Sequence, residues 1–228
     1  SLYSVKRAVF DDKMFTMSDL TEWLSQDWQD AEAKRAYLLN HVPKYGNDHD
    51  EVDAMAVRVM NHYCDVLSPY RNFRGGFFWP GIFSVGFHIT MGAFTGATPD
   101  GRFAGDVLGN GITPTTGNAK SGPTAIMNSV VKLPVTRAFN GVNLNMRFQG
   151  KKISTENLTN LINTYFKSGG TQVQFNMVDS AILREAQMHP EKHRDLFVRV
   201  SGYSAEFVGL SDIAQDEIIS RTEFEMRP

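Results

Sequence analysis

The sequence predicts an α/β fold, and three observations carry that prediction. Two stretches alternate with a period of two. In VNLNMRF, Val142, Leu144, Met146 and Phe148 fall on one side, and Asn143, Asn145 and Arg147 on the other. In TQVQFNMV, Val173, Phe175 and Met177 oppose Gln172, Gln174 and Asn176. Helical patterns separate the strands. Glu156 to Lys167 lies between the first two and stops at Gly169-Gly170, and Ser180 to Met188 precedes a further strand in LFVRV, Leu196 to Val200. The third observation is a long Gly-, Pro- and Thr-rich stretch from Arg74 to Gly122, too aromatic for a linker, which predicts packed loops of the kind that build sites. Strands separated by helices, with long loops at one end, define the class.

The elements follow in order. Ser1 to Phe10 reads as the middle of a helix, with Leu2, Val5 and Val9 on one face, and the abrupt start reads as a piece of a longer chain. Residues 16–40 form a helical pattern with Thr16 or Ser18 as N-cap and a buried stripe of Leu20, Trp23, Leu24 and Trp28. A polar turn, PKYGNDHDEVD, leads into a helix from Val52 to Leu67. Within the loop-rich stretch a strand is expected around Ile82 to Thr90, and Ala125 to Lys132 is expected to be helical. Ser154 or Thr155 caps the helix before Lys167, and Ser211 caps a last helix in DIAQDEIISRT. The polar sides of the two alternating strands leave two readings open. A water-facing sheet is one. The other is an enclosed polar lumen, which suits amides because they need both donors and acceptors satisfied.

Composition narrows the function. The 228 residues are 42% hydrophobic and 11% aromatic, enough for a substantial core. The 23 basic and 25 acidic side chains give a formal charge of -2, which argues against a nucleic-acid footprint. No apolar run approaches the about 18 residues of a membrane span. A single cysteine, Cys64, precludes an internal disulfide and fits a reducing compartment such as the cytoplasm. Common catalytic motifs are missing: there is no Cys-x-x-Cys, His-Glu-x-x-His or Gly-x-Ser-x-Gly, and TGATPDG and GNGITPTTG lack the lysine of a phosphate loop. The six histidines are scattered and predict no metal site. His88, on the expected strand, reads as a satisfied core histidine with a catalytic role as the alternative. Cys64, inside a helix, reads as a small buried hydrophobe.

Near the C-terminus, RVSGYSA, Arg199 to Ala205, is followed by AQDEIISRT, Ala214 to Thr222. Together they resemble the C-terminal signature of the glycyl radical enzymes. The resemblance extends through TGATPDGRFAG, GPTAIMNSVVKLP and PKYGND to SLYSVKRAVFDD at the start, so it covers essentially the whole chain. Two small departures are Phe197, where a smaller or β-branched residue is expected, and Glu206, where relatives are often aromatic or basic.

The resemblance implies that Gly202 carries the radical. An iron–sulfur activating enzyme that uses S-adenosylmethionine would install it, and no cofactor would remain bound. Glycine suits the role: an unpaired electron on its α carbon can conjugate with both flanking amides, and no Cβ forces that centre out of plane. The plainer reading of Gly202 is a turn with positive φ. The family's barrel of ten strands is built from two half-barrels around a glycine loop and a cysteine loop. This chain would supply the later half-barrel and the glycine loop, with residues 1–80 as a helical lead-in and 81–228 as the half-barrel and radical domain. The relay cysteine would sit on a missing upstream segment, since Cys64 lies in the wrong context. Implied partners are that Cys-bearing remainder, the activating enzyme and a small-molecule substrate, with a homo-oligomer at full length.

GPTAIMNSVVKLP and EIISRTEFE resemble the dehydratase, decarboxylase and fumarate-adding members more than pyruvate formate-lyase itself, and NLNMRF and GNGITPT lean toward the alkyl- or arylsuccinate synthases. Substrate-binding residues are not identified. Two alternatives stand beside the enzyme reading: a non-catalytic radical donor that rescues an oxygen-damaged pyruvate formate-lyase-like partner, and a fold relative used only for binding.

Overall fold

A computed structural model describes residues 1–148, 153–221 and 223–224. Thr222, the last residue of the C-terminal motif, and the final residues 225–228 lie outside the described residues. The fold is mixed α/β. Helix α1 (Leu2–Val5) runs on as a wider π-helical turn, Lys6–Asp11, and is followed by α2 (Met17–Ser25), α3 (Glu32–Asn40) and α4 (Asp50–Leu67). After the loop-rich stretch, which holds α5 (Phe87–Ala93), come α6 (Pro123–Val131), β1 (Asn145–Phe148), α7 (Thr155–Lys167), β2 (Gln174–Asn176) and α8 (Ser180–Met188). The chain ends with β3 (Phe197–Arg199), β4 (Ser204–Glu206), α9 (Asp212–Ser220) and β5 (Glu223–Phe224).

Local chemistry explains most of these boundaries. Thr16 and Asp19 form a reciprocal capping box at the start of α2. Ser154 accepts the Asn157 amide at the start of α7, and Asp179 accepts the Ala181 amide at the start of α8. Pro123 opens α6, where its missing N–H costs nothing.

The expected single helix over 16–40 is two helices. The backbone takes positive φ at Asp27, Trp28 and Asp30, non-glycine positions that composition does not flag. The break seats the Trp28 ring in the core, with its Nε1 donating to the Arg102 carbonyl at 3.2 Å. At the N-terminus Tyr3, Ser4 and Ala8 are buried and Val5 and Val9 pack half-buried against the same cluster, while Leu2 is exposed, so two of the three residues of the expected apolar face turn inward. The expected strand over 82–90 is also corrected. Only Ile82 bridges to Val142; Gly86, at φ +95, then turns the chain into α5. Aromatic and β-branched content there reflects an exposed face and not a strand, since Phe87, Met91 and Phe94 point outward.

Strand β1 is central in a parallel sheet of order β2-β1-β5, in the register Asn145↔Gln174, Met146↔Phe175 and Arg147↔Asn176. All four of its residues are buried, as expected of a parallel strand covered on both faces. Among the described residues the apolar side chains gather in three clusters. The main one joins Met60 and Cys64 of α4, Val130 of α6, Leu144, Met146 and Phe148, and Tyr165 of α7. A second unites the N-terminal helices around Leu20, Trp28 and Leu38. The third is separate: Leu183 and Ala186 of α8, Val198 and Val200, Phe207, and Ile218 of α9. It forms a small C-terminal unit that packs on the polar side of β1.

The polar sides of the alternating strands are therefore buried: Asn143, Asn145, Arg147, Gln174 and Asn176 are each no more than 7% exposed. The water-facing reading fails. The amides are enclosed, but by the C-terminal unit. Arg147 donates to the carbonyls of Ile218 and Ile219 and to Ser180 Oγ, and Gln174 Nε2 donates to Asn145 Oδ1. No helix among the described residues is long and apolar enough to cross a membrane.

Candidate functional site

Strands β3 and β4 form an antiparallel hairpin, with Phe197↔Glu206, Val198↔Ala205 and Arg199↔Ser204 in register. The two departures from the family pattern, Phe197 and Glu206, thus face each other at the open end of the hairpin. The Val200 N–H donates to the Tyr203 carbonyl at 2.9 Å and closes a two-residue loop, Ser201-Gly202. Gly202 has φ +88, the value that glycine tolerates at the second loop position of a tight turn. The turn reading of Gly202 is correct as geometry. Space does not impose the glycine. A Cβ at position 202 would meet only Asn143 Nδ2, at 3.9 Å, and Gly202 is exposed to solvent within this chain.

Everything leading up to Gly202 is tied down. The Arg199 carbonyl accepts from Asn176 Nδ2 at 2.8 Å and from Arg221 Nη1 at 2.9 Å, and the Arg199 N–H donates to Asn176 Oδ1 at 2.8 Å. The Val200 carbonyl accepts from Arg221 Nη2 at 2.7 Å and from Asn110 Nδ2 at 3.3 Å. Ser201 is 2% exposed, and its hydroxyl donates to Asn110 Oδ1 at 2.8 Å while accepting from Asn143 Nδ2 at 2.9 Å. Ser84 joins the same hub, donating to Asn110 Oδ1 at 2.8 Å and lying 2.9 Å from His88 Nδ1.

His88 is buried, as expected, but on helix α5. Its Nε2 lies 3.6 Å from Glu217 Oε1 of α9. Burial alone would raise the Glu217 carboxyl; His88 and Arg221 beside it hold it below its ordinary value. Arg221 grips Glu217 at 2.7 Å while holding the two hairpin carbonyls, so α9 is coupled to the glycine turn through one guanidinium.

The Asn143 backbone is positioned by its neighbours. Its N–H donates to the Ile82 carbonyl and its carbonyl accepts from the Ile112 N–H. Gly111 permits this approach, because a Cβ there would sit 2.6 Å from the Asn143 carbonyl oxygen. The segment GNGITPT, unremarkable as a phosphate loop, thus supplies Asn110 and the close approach at Gly111. Ser84, Asn110, Ser201 and Arg221 are site residues that the sequence reading missed. Asn110, an amide between two glycines in a buried segment, is the one with a readable signal.

Cys64 is placed by the structure in the main core, where burial pushes its thiol up and away from the thiolate. A cleft of about 590 Å³ lies away from the hub, between α4 and the loop 111–118, lined by Tyr45, Met55, Met60, Ile82, Ile112 and Leu133 among others.

This turn falls inside a stretch with a known counterpart. The family model described as "Glycine radical" matches residues 108–208, and the one described as "Pyruvate formate lyase-like" matches residues 1–92. The chain belongs to the glycyl radical enzyme family. It is 40% identical to the probable dehydratase YbiW of Escherichia coli and 38% identical to the trans-4-hydroxy-L-proline dehydratase of Clostridioides difficile, in each case over 98% of this chain and 29% of the relative. The solved glycerol-bound form of the B12-independent glycerol dehydratase from Clostridium butyricum superposes with a TM-score of 0.95 at 44% identity, covering 99% of this chain and 29% of that one. The chain therefore spans less than a third of the length of these relatives.

Proposed function

We propose that this chain is the glycyl-radical-bearing part of an anaerobic radical lyase, with Gly202 as the residue that stores the radical. The observation that carries the reading is the Gly202 turn itself: a glycine in RVSGYSA, inside the matched glycine radical stretch, whose preceding backbone is held by Asn110, Asn143, Asn176 and Arg221. An activating enzyme would remove one α hydrogen atom. Three relatives named as dehydratases, at 38 to 44% identity, support elimination of water, a C–O bond cleavage, over decarboxylation or addition to fumarate.

The remaining parts of the proposal concern what lies outside this chain. Residues 81–228 would form the later half of a ten-stranded barrel, with 1–80 leading into it. A relay cysteine would come from a Cys-bearing remainder, because Cys64 is buried in a helix and burial pushes its thiol away from the thiolate. The exposed Gly202 and the aromatic surface beside the loop-rich stretch fit a chain that packs against such a remainder. The substrate would be a small polyol or hydroxy acid bound largely by that remainder.

The test is anaerobic activation of the full-length protein that contains this chain, using its activating enzyme, S-adenosylmethionine and a reductant. An organic radical signal with one large α-hydrogen splitting is expected in electron paramagnetic resonance, and Gly202→Ala should abolish it. A signal that persists in that variant would sink the assignment. A parent reading frame with no Cys-bearing segment would instead favour the rescue-protein alternative.

A further inference from the structure

Gly202 stands at φ +88. That rotation decides whether an unpaired electron on its α carbon can spread onto the amide nitrogen, because the peptide before it is planar. Overlap is full when the chain is extended at the N–Cα bond and nearly vanishes when the rotation is close to a right angle. The observed turn is therefore close to the least favourable geometry for the nitrogen half of the conjugation. A hydrogen atom removed with the turn intact would leave a radical that the preceding amide nitrogen hardly stabilises.

The same turn is held on one side far more firmly than on the other. Before Gly202, two carbonyls and one hydroxyl are fixed by Arg221, Asn176, Asn110 and Asn143. After it, Tyr203 and Ser204 are exposed within this chain, and the described restraints nearest the turn are the Val200 N–H bond to the Tyr203 carbonyl, the short β3–β4 ladder and Arg199 Nη1 on Ser204 Oγ. Rotation toward an extended φ must swing β4 against a fixed Ser201 and break the Val200–Tyr203 bond.

We infer that Ser201 is a positioning residue which, through Asn110 and Asn143, holds Gly202 in a resting geometry unsuited to an α-carbon radical, so that the turn opens at the Gly202 N–Cα bond as the hydrogen leaves. This rests on the radical reading of Gly202. In that step the Cα–H bond breaks homolytically, and the hydrogen atom passes to the 5′-deoxyadenosyl radical, giving 5′-deoxyadenosine. One electron from the reductant has already cleaved S-adenosylmethionine to make that radical. One unpaired electron remains on Gly202. Loosening the anchor at Ser201 lets the preceding peptide share the rotation and speeds the step.

The experiment uses the full-length enzyme with its activating enzyme, S-adenosylmethionine and a one-electron reductant, and follows the initial rate at which the radical signal grows. Ser201→Ala is expected to gain signal about fivefold faster than the parent, the scale of one net hydrogen bond, with the same α-hydrogen splitting. Ser201→Thr, which keeps the hydroxyl, should stay at the parent rate. A rate equal to or below the parent in a folded Ser201→Ala enzyme overturns the inference, because a merely structural role lowers yield and never accelerates. Should the alanine variant fail to fold, the unaltered enzyme decides. Hydrogen–deuterium exchange of a peptide spanning residues 197–206 should be faster in the radical-bearing form than in the resting form, and unchanged exchange overturns the inference. An unaltered enzyme that shows no signal at all counts against the radical reading itself.

Discussion

The seat of the glycine turn and the surface around Trp79 handle opposite chemistries in opposite ways. The seat is polar and buried: Asn110, Asn143, Arg147, Asn176 and Ser201 are all at most 7% exposed and hydrogen-bonded. The Trp79 surface is apolar and open. Phe77 stacks on Trp79 at 5.0 Å and Phe139 meets Trp79 edge-on at 4.9 Å, yet the three are 50%, 52% and 71% exposed. Phe73 and Phe94, at 93% and 84%, are barer still. A buried polar group must find its partners within the fold, and each of these side chains makes at least one hydrogen bond there. A cluster of exposed aromatic rings of this kind is uncommon on a monomer's surface and commonly serves an interaction.

The largest effect is expected at the aromatic surface. Phe77→Ser with Trp79→Ser should shift the isolated 228-residue chain from self-associated species toward monomer in analytical ultracentrifugation, with stability changed by less than about 0.5 kcal/mol, as for surface substitutions in general. An unchanged sedimentation profile would mean that this surface drives no association. The polar seat should respond to acid instead, and more weakly. Glu217 is held below its ordinary value despite burial, by His88 and Arg221, so its contribution is present above the ordinary carboxylate range and is lost as pH falls through the depressed folded value. The urea midpoint of the parent should fall on that acid side, while Glu217→Gln should show a shallower acid limb and a lower midpoint at neutral pH. Parallel acid limbs in the two proteins would remove Glu217 from the account.

How much of this was readable in the chain depended on whether the signal was periodic. The alternation in VNLNMRF and TQVQFNMV placed the amides on one face but left open whether that face met water or an enclosed space; burial of Asn143, Asn145 and Asn176 decides for enclosure. The turn at Gly202 was legible because glycine answers to backbone geometry. Ser84, His88 and Asn110 come from separate points of an aperiodic loop and meet only through tertiary packing, so no local pattern announces the hub. The strand expected over 82–90 failed because aromatic residues that face outward mimic those of a buried strand. The break at Asp27–Asp30 escaped because non-glycine residues there adopt positive φ to seat Trp28.

If the α carbon of Gly202 holds the radical, as proposed, oxygen should cut the chain there. A carbon-centred backbone radical combines with dioxygen and the chain breaks at that residue. Full-length protein should therefore be activated without oxygen, exposed to air and read by intact-mass and peptide spectrometry. A released C-terminal piece beginning near Tyr203 is expected, in proportion to the radical signal lost. An intact chain after complete loss of the signal, or a cut at any other position, would contradict the proposal.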